Sequence, residues 1–584
     1  MHPRITTLPA LALTLTASVS AQTTVRQSTG SGGEEGNHHS RHATLSADGR
    51  WIAFDSEATT FAPSDTNAAT DVFLHDRRNG TTSCLSLGLG GAPGDDHSTL
   101  PSLSADGRFV AFQSFASDLV AGDTNGASDV FVRDVQLGTT ERVSVGTGGA
   151  QSTGGAVAAS ISADGRFVAF TSTASDLVPG DTNTFSDVFL RDRLLGTTER
   201  VSVGAGGLQA NDFSAGPSIS GDGRFVAFYS AASNLVAGDT NARYDVFVRD
   251  RVTATTLRAS VGPGGVEPLD HCFDCALSAD GRFVAFRSPA TNLIASDTNP
   301  LEDVFVRDLA AGVTEIVDVD DAGLQSTGFA RLPSISADGR FVTFLSSASG
   351  LVLGDTNGLS DIFVRDRLTS TTVRASVSST NAQGDNGCDT SSITPDGRYV
   401  LFSTLASNLG PWDTNARWDV YLRDRSVAAP ITFCPDDGYV QACPCGNSGG
   451  PGRGCANSAF TSGGRLTASG DAYVFTDTLV LDASNLTGAF CIFFQGDADV
   501  PPVPIDDGVG CVGGNLFRLG TKAVVGNTSR YPEGGDTGIS VRGHLPPTEV
   551  RRFYQCFYRN AAASFCPPAT SNRTNALIFD WAVL

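Results

Sequence analysis

The sequence predicts an all-β protein, a seven-bladed β-propeller followed by a smaller disulfide-rich β-domain, and three observations carry that prediction. The string Ser104-Ala105-Asp106-Gly107-Arg108-Phe109-Val110-Ala111-Phe112 recurs with its aspartate at positions 48, 106, 164, 222, 280, 338 and 396, always 58 residues apart. An Asp-Thr-Asn string keeps the same phase, with its aspartate at 65, 123, 181, 239, 297, 355 and 413, and a string like Asp129-Val130-Phe131-Val132-Arg133-Asp134 follows it in each copy. After Arg425 the phase ends and cysteines crowd, at 434, 443, 445, 455, 491, 511, 556 and 566.

Each copy reads as four short strands, which in the second are Pro101 to Ser104, Phe109 to Ser114, Asp129 to Arg133 and Thr140 to Val145, rich in Val, Phe and Thr at alternating positions. Asp106-Gly107 is the hairpin turn between the first two, and Gly138-Thr139 closes the last pair. A four-stranded antiparallel unit repeated without helical periodicity is a propeller blade. The ring also closes in the sequence. The fourth-strand Thr pair of the other copies is missing from the seventh, which has Ala429-Pro430 there, whereas Thr23-Thr24 stands 58 residues before Thr81-Thr82. The N-terminal strand is therefore expected to complete the last blade, which removes an open strand edge.

The repeat resembles the TolB-like propeller family, whose blades carry a Ser-Pro-Asp-Gly-Lys/Arg turn before an apolar strand. Thr394-Pro395-Asp396-Gly397-Arg398 is nearest to that turn, and the other copies have Ala or Gly for the proline. The resemblance implies the fold over roughly 400 residues, but such blades serve periplasmic scaffolds, peptidases and polysaccharide lyases, so it implies no single activity. In the tail, Cys443-Pro444-Cys445-Gly446-Asn447, Gly452 to Ser458 and Val541-Arg542-Gly543 resemble a C-terminal domain of large exported proteins of environmental bacteria, to which no activity attaches.

Composition sets the class and the compartment. The 584 residues carry a formal charge of -22, and Lys522 is the one lysine. An acidic chain without a basic cluster has no footprint for nucleic acid or anionic lipid. Arg4, the apolar run from Leu8 to Val19 and Ser18-Val19-Ser20-Ala21 fit a secretory signal peptide over 1–21, which places the product outside the cytoplasm, secreted or periplasmic, with no membrane insertion. The expected order is signal peptide 1–21, propeller 22–425, linker 426–433 and a Cys-rich, β-sandwich-like domain over 434–584. Cysteines in an exported chain favour disulfides over metal thiolates, and a local bridge is expected between Cys272 and Cys275.

Function is expected on the face that carries the two longer connections of every blade, since loops hold binding residues and the other face has only tight turns. That face carries seven Asp-x-Asn-x-x-x-Asp loops: Asp65, Asn67 and Asp71; Asp123, Asn125 and Asp129; Asp181, Asn183 and Asp187; Asp239, Asn241 and Asp245; Asp297, Asn299 and Asp303; Asp355, Asn357 and Asp361; Asp413, Asn415 and Asp419. Oxygen-bearing side chains so spaced can collect a hard cation, which makes Ca2+ the one cofactor suggested, or they can cap the turn through backbone amides. His39, His97 and His271 share one repeat position before the innermost strand, where with His38 and His42 nearby they either face a ligand or transition metal or are solvated loop residues. Arg243-Tyr244, Arg417-Trp418 and nearby Trp412 offer aromatic rings that either stack on a sugar or partner or pack between loops.

Gly446-Asn447-Ser448-Gly449-Gly450-Pro451 imitates a protease nucleophile motif, but Asn447 replaces the acid and His544 is the one histidine of the tail, so no catalysis is assigned to it. The sequence thus favours a non-enzymatic binding or scaffold protein with a protein or polysaccharide ligand. The alternative is a polysaccharide lyase or hydrolase at the channel mouth.

Overall fold

A computed structural model describes residues 22–425 except 63, 64, 66, 411 and 412, and within the tail 431–433, 465–469, 480–487, 489–496, 498–505, 508–513, 516–525, 527–532, 536, 539–542, 550–559 and 571–581. The 1–21 segment, Trp412, the serine motif at 446–451, His544 and the cysteines at 434, 443, 445, 455 and 566 lie outside the described residues. The chain divides into two compact units, one of which is Gln22–Arg425.

That unit is a seven-bladed propeller. Seven four-stranded antiparallel sheets follow one another, six of them in simple sequence order. The seventh takes its outer strand from the N-terminus: Thr23–Arg26 pairs with Asp419–Asp424, Thr23 opposite Asp424 and Arg26 opposite Tyr421. Ring closure is equally visible in the packing. Every blade interface has its own apolar cluster, and the one between the last and first blades joins Leu401, Val420 and Leu422 to Ile52, Phe54 and Phe73.

The repeated strings have local physical reasons. In Ser104-Ala105-Asp106-Gly107-Arg108, Ser104 Oγ donates to Asp106 Oδ1 (2.6 Å), and that oxygen also accepts the Arg108 amide (3.0 Å), which fixes the hairpin turn. Gly107 has φ 75°, and a Cβ there would lie 2.2 Å from the Trp51 ring of the preceding blade, so the glycine serves both the turn and the blade contact. The arginine then pairs with the aspartate that ends the third strand, at 2.6 to 2.9 Å in all seven blades. It also lies 4.5 to 4.7 Å over the ring that follows it. The tight-turn face is thereby a repeated structural clasp.

Three details differ from the sequence expectation. The innermost strand of the second blade is Ser98–Leu103, earlier than expected, because a β-bulge between Thr99 and Ser102 lets the chain pair before Pro101. Cys272 and Cys275 are not bridged: the extended strand separates them, and their thiols donate to Ser288 Oγ (3.4 Å) and the Gly216 carbonyl (3.3 Å). Ile431–Phe433, placed in a linker by the sequence, forms a strand against Ser571–Trp581.

The described part of the tail is also β-rich. A five-stranded sheet is centred on Val550–Arg559, which pairs with Phe490–Gly496 and Ser571–Trp581, and its Phe493, Tyr554 and Tyr558 are buried in one core with Leu481 of a separate three-stranded sheet. A single helical turn, Ile539–Arg542, interrupts the strands. Among the described residues no helix is long and apolar enough to cross a membrane.

Candidate functional site

The Asp-x-Asn loops come first, because their sequence pattern suggested cations. In the second blade Asn125 Oδ1 accepts the Ala127 amide (3.0 Å), Asn125 Nδ2 donates to Asp129 Oδ2 (3.0 Å), and Ser144 Oγ donates to Asp129 Oδ1 (2.5 Å). Between the two carboxylates sits a guanidinium: Arg142 Nη1 is 3.1 Å from Asp123 and 3.4 Å from Asp129. Arg200, Arg258 and Arg374 hold Asp181 and Asp187, Asp239 and Asp245, and Asp355 and Asp361 in the same way at 3.1 to 3.5 Å. In the seventh blade Arg26 lies 2.5 Å from Glu35 and 3.6 Å from Asp419, within the one group of three potential metal ligands among the described residues, Glu35, Asp413 and Asp419. In five blades, therefore, an arginine supplies a positive charge beside the aspartates that the sequence offered either to Ca2+ or to turn capping. In the first and fifth blades Cys84 and Ile316 stand where the others have arginine.

The three histidines share a structural task at three separate blade junctions. His39 Nδ1 accepts the Trp418 amide (3.1 Å), His97 Nδ1 the Thr70 amide (2.9 Å) and His271 Nδ1 the Tyr244 amide (3.0 Å). An imidazole accepting at Nδ1 carries its proton on Nε2 and is neutral. The 3.5 Å and 3.4 Å approaches of Arg417 and Arg243 to the Nε2 atoms of His39 and His271 then bring donor to donor and are not hydrogen bonds. Burial and the neighbouring Arg41 push the His39 pKa down, in agreement. Among the described residues no histidine joins a group of three potential metal ligands.

Two of them, His39 and His271, nevertheless order the aromatic residue whose amide they accept, Trp418 and Tyr244. Trp418 is half-buried with the Arg41 guanidinium 4.8 Å over its ring. Tyr244 belongs to a larger group: Phe213, Tyr229, His271 and Phe273 approach it with centroids 5.2 to 6.1 Å away. All five rings are half-buried. Arg243 is exposed beside this cluster, and Arg287 lies 4.9 Å over Phe273 while pairing with Asp274 and Glu302.

A second set of residues, of which the sequence reading named only His42, lies on the two inner strands. The bulge residue of the innermost strand meets a residue of the second strand in four blades. These pairs are His42 and Asp55, Gly216 and Tyr229, Asp274 and Arg287, and Thr390 and Ser403. Two of them are ion pairs, in the first and fifth blades. His42 Nδ1 lies 2.8 Å from Asp55 Oδ2, which also accepts the Leu100 amide of the next blade (3.0 Å). Burial opposes the charged imidazole, but the hydrogen bond and charge of Asp55, with Asp389, raise the His42 pKa above its ordinary value. His42 and Asp55 line an open cleft of about 170 Å³ with His39, Arg41, Glu57, Thr70 and Thr99. A histidine held at Nδ1 by a carboxylate keeps Nε2 for proton exchange. The signal for these positions was present as a loss of repetition at the phase of residues 42 and 55.

No family model matches the chain. No curated protein matches it either. Similar solved structures include an oligogalacturonate lyase in complex with manganese, at 16% identity over 70% of this chain and 94% of that one, with a TM-score of 0.43. TolB from Acinetobacter baumannii shows 15% identity over 66% of this chain and 79% of its own, with a TM-score of 0.31. Pyrococcus horikoshii acylaminoacyl peptidase shows 10% identity over 66% and 51%, with a TM-score of 0.41. The propeller itself rests on the strand pairing of this chain.

Proposed function

We propose that this is an exported, non-enzymatic recognition protein that docks a glycan or protein ligand on the long-loop face of its propeller, beside the channel mouth. The observation that carries the reading is the half-buried cluster of Phe213, Tyr229, Tyr244, His271 and Phe273, flanked by Arg243 and Arg287. Aromatic faces ordered by neighbouring rings, with a guanidinium beside them, give stacking area at low entropic cost. The tight-turn face supports the same choice by contrast, since its arginines are engaged in ion pairs and ring contacts. Export is supported by the composition of 1–21.

A polysaccharide lyase or hydrolase at the channel mouth is the second reading, and the His42–Asp55 pair favours it. One experiment separates the two. The purified protein is applied to a glycan and cell-surface protein array, and each ligand retained is then incubated with it and analysed for cleavage. The recognition reading expects an intact ligand whose retention falls at least tenfold in Phe273→Ala. Cleavage that disappears in His42→Gln overturns it in favour of the enzyme.

A further inference from the structure

The two blades without the loop arginine solve the loss differently. In the fifth, Gln325 Nε2 donates to both Asp297 Oδ1 (2.8 Å) and Asp303 Oδ2 (2.9 Å). In the first, the corresponding glutamine is Pro93 as well, so Cys84 and Pro93 together remove both the cation and the side-chain amide that hold the equivalent of Asp65 in the second blade. Both carboxylates remain. Asp65 is 6% exposed and Asp71 0% exposed. Ser86 Oγ donates to Asp71 Oδ1 (2.6 Å), but Asp65 Oδ1, Asp65 Oδ2 and Asp71 Oδ2 are buried with no hydrogen bond of normal geometry, only the Asn67 amides approaching the two carboxylates. Two adjacent buried carboxylates left without a counter-charge are strongly unfavourable.

We propose that Asp65 and Asp71 bind one hard divalent cation in the place that an arginine guanidinium fills in five sister blades. The donors are carboxylate oxygens, which suit calcium-class ions, with water and backbone carbonyls completing the shell. Cys84 does not form a three-ligand group with the two carboxylates, which argues against a thiolate metal such as zinc. The ion would tie the loop between the second and third strands to the third strand itself, as Arg142 does in the second blade. This inference stands apart from the choice of ligand at the aromatic cluster.

The sister blades also supply the test. The full-length protein is stripped with chelator and titrated with calcium chloride in a calorimeter, and its melting is recorded with and without calcium. The wild type should bind one calcium ion in the propeller and melt higher when loaded. Asp65→Asn should weaken that site at least tenfold. Cys84→Arg combined with Pro93→Gln, which rebuilds the sister-blade clasp, should abolish the site and melt without calcium at least as high as the loaded wild type. Absence of heat at millimolar calcium, or binding heat that Asp65→Asn leaves unchanged, overturns the proposal. Zinc binding lost in Asp65→Asn, with no response to calcium, overturns the assignment to a hard cation.

Discussion

Removing residues 22–30 should reopen the ring at its seventh blade, and the structure sets the size of the effect. Thr23–Arg26 contributes four register pairs to the third strand of that blade. Beyond the ladder, Arg423 is 1% exposed and depends on this segment: its guanidinium donates to Gln22 O (3.0 Å), Thr24 Oγ1 (3.0 Å) and Gln22 Oε1 (2.8 Å), leaving only Ser378 O and Asn381 Oδ1 after deletion. Ser28 Oγ, which donates to Asp419 Oδ1 (2.6 Å), is lost too. At about 1 kcal/mol net for each ladder hydrogen bond and about 3 kcal/mol for a buried charge deprived of partners, the cost is about 7 kcal/mol. A unit of about 400 residues unfolds with an entropy near 0.8 kcal/mol/K, so the melting temperature should fall by about 8 °C. Differential scanning calorimetry of the two full-length forms measures this directly. A shift under about 2 °C would show that the N-terminal strand does not hold the ring, and the closure argument would fail.

Three further outcomes follow from the repeat. Asp318 stands where Ser144 and its equivalents accept their task in other blades, and burial together with mutual repulsion holds Asp303 well above the usual carboxylate range. The folded state therefore keeps a proton that the unfolded state releases near its ordinary pKa, so wild-type stability falls as pH rises above about 4; Asp318→Ser should gain stability that grows with pH, by at most about 1.4 kcal/mol per unit, in urea titrations at pH 5 and pH 8. The hydrogen bond from Arg282 holds the Asp308 carboxyl down at about 2. Its contribution is present above the unfolded carboxylate pKa and lost as pH falls from about 4 to about 2, so Arg282→Gln should flatten acid unfolding over that window. Gly107→Ala, which adds strain at positive φ and a clash with Trp51, should cost about 2 kcal/mol or more by chemical denaturation.

Much of the fold was legible because a 58-residue phase reports strands, turns and closure together, and even Thr23-Thr24 could be matched to the outer strand it forms. The loop arginines keep the same phase in five of the seven copies. They were missed because Arg142 lies 13 residues after Asp129, and only the antiparallel register of Phe131 with Arg142 shows that the two meet. The pairing of His42 with Asp55 was hidden for a different reason. A bulge with φ 46° at His42 breaks the two-residue alternation by which one assigns strand faces, and repetition draws attention to constant positions while these two vary. The histidines were seen, but a sequence cannot tell that Nδ1 caps a backbone amide.

The most direct test of the account is to compare the affinity of two double variants for the ligand recovered from the array. Tyr244→Ala with Trp418→Ala alters the long-loop face, whereas Arg108→Ala with Arg166→Ala breaks the ion pairs to Asp134 and Asp192 on the tight-turn face. Truncating aromatic anchors in a recognition centre costs about 2 kcal/mol or more, so the first pair should weaken binding well above tenfold, measured by isothermal titration. The arginine pair should lower the melting temperature and leave Kd unchanged. Loss of affinity in the arginine pair, with the aromatic pair binding like wild type, would place the working face on the wrong side of the propeller.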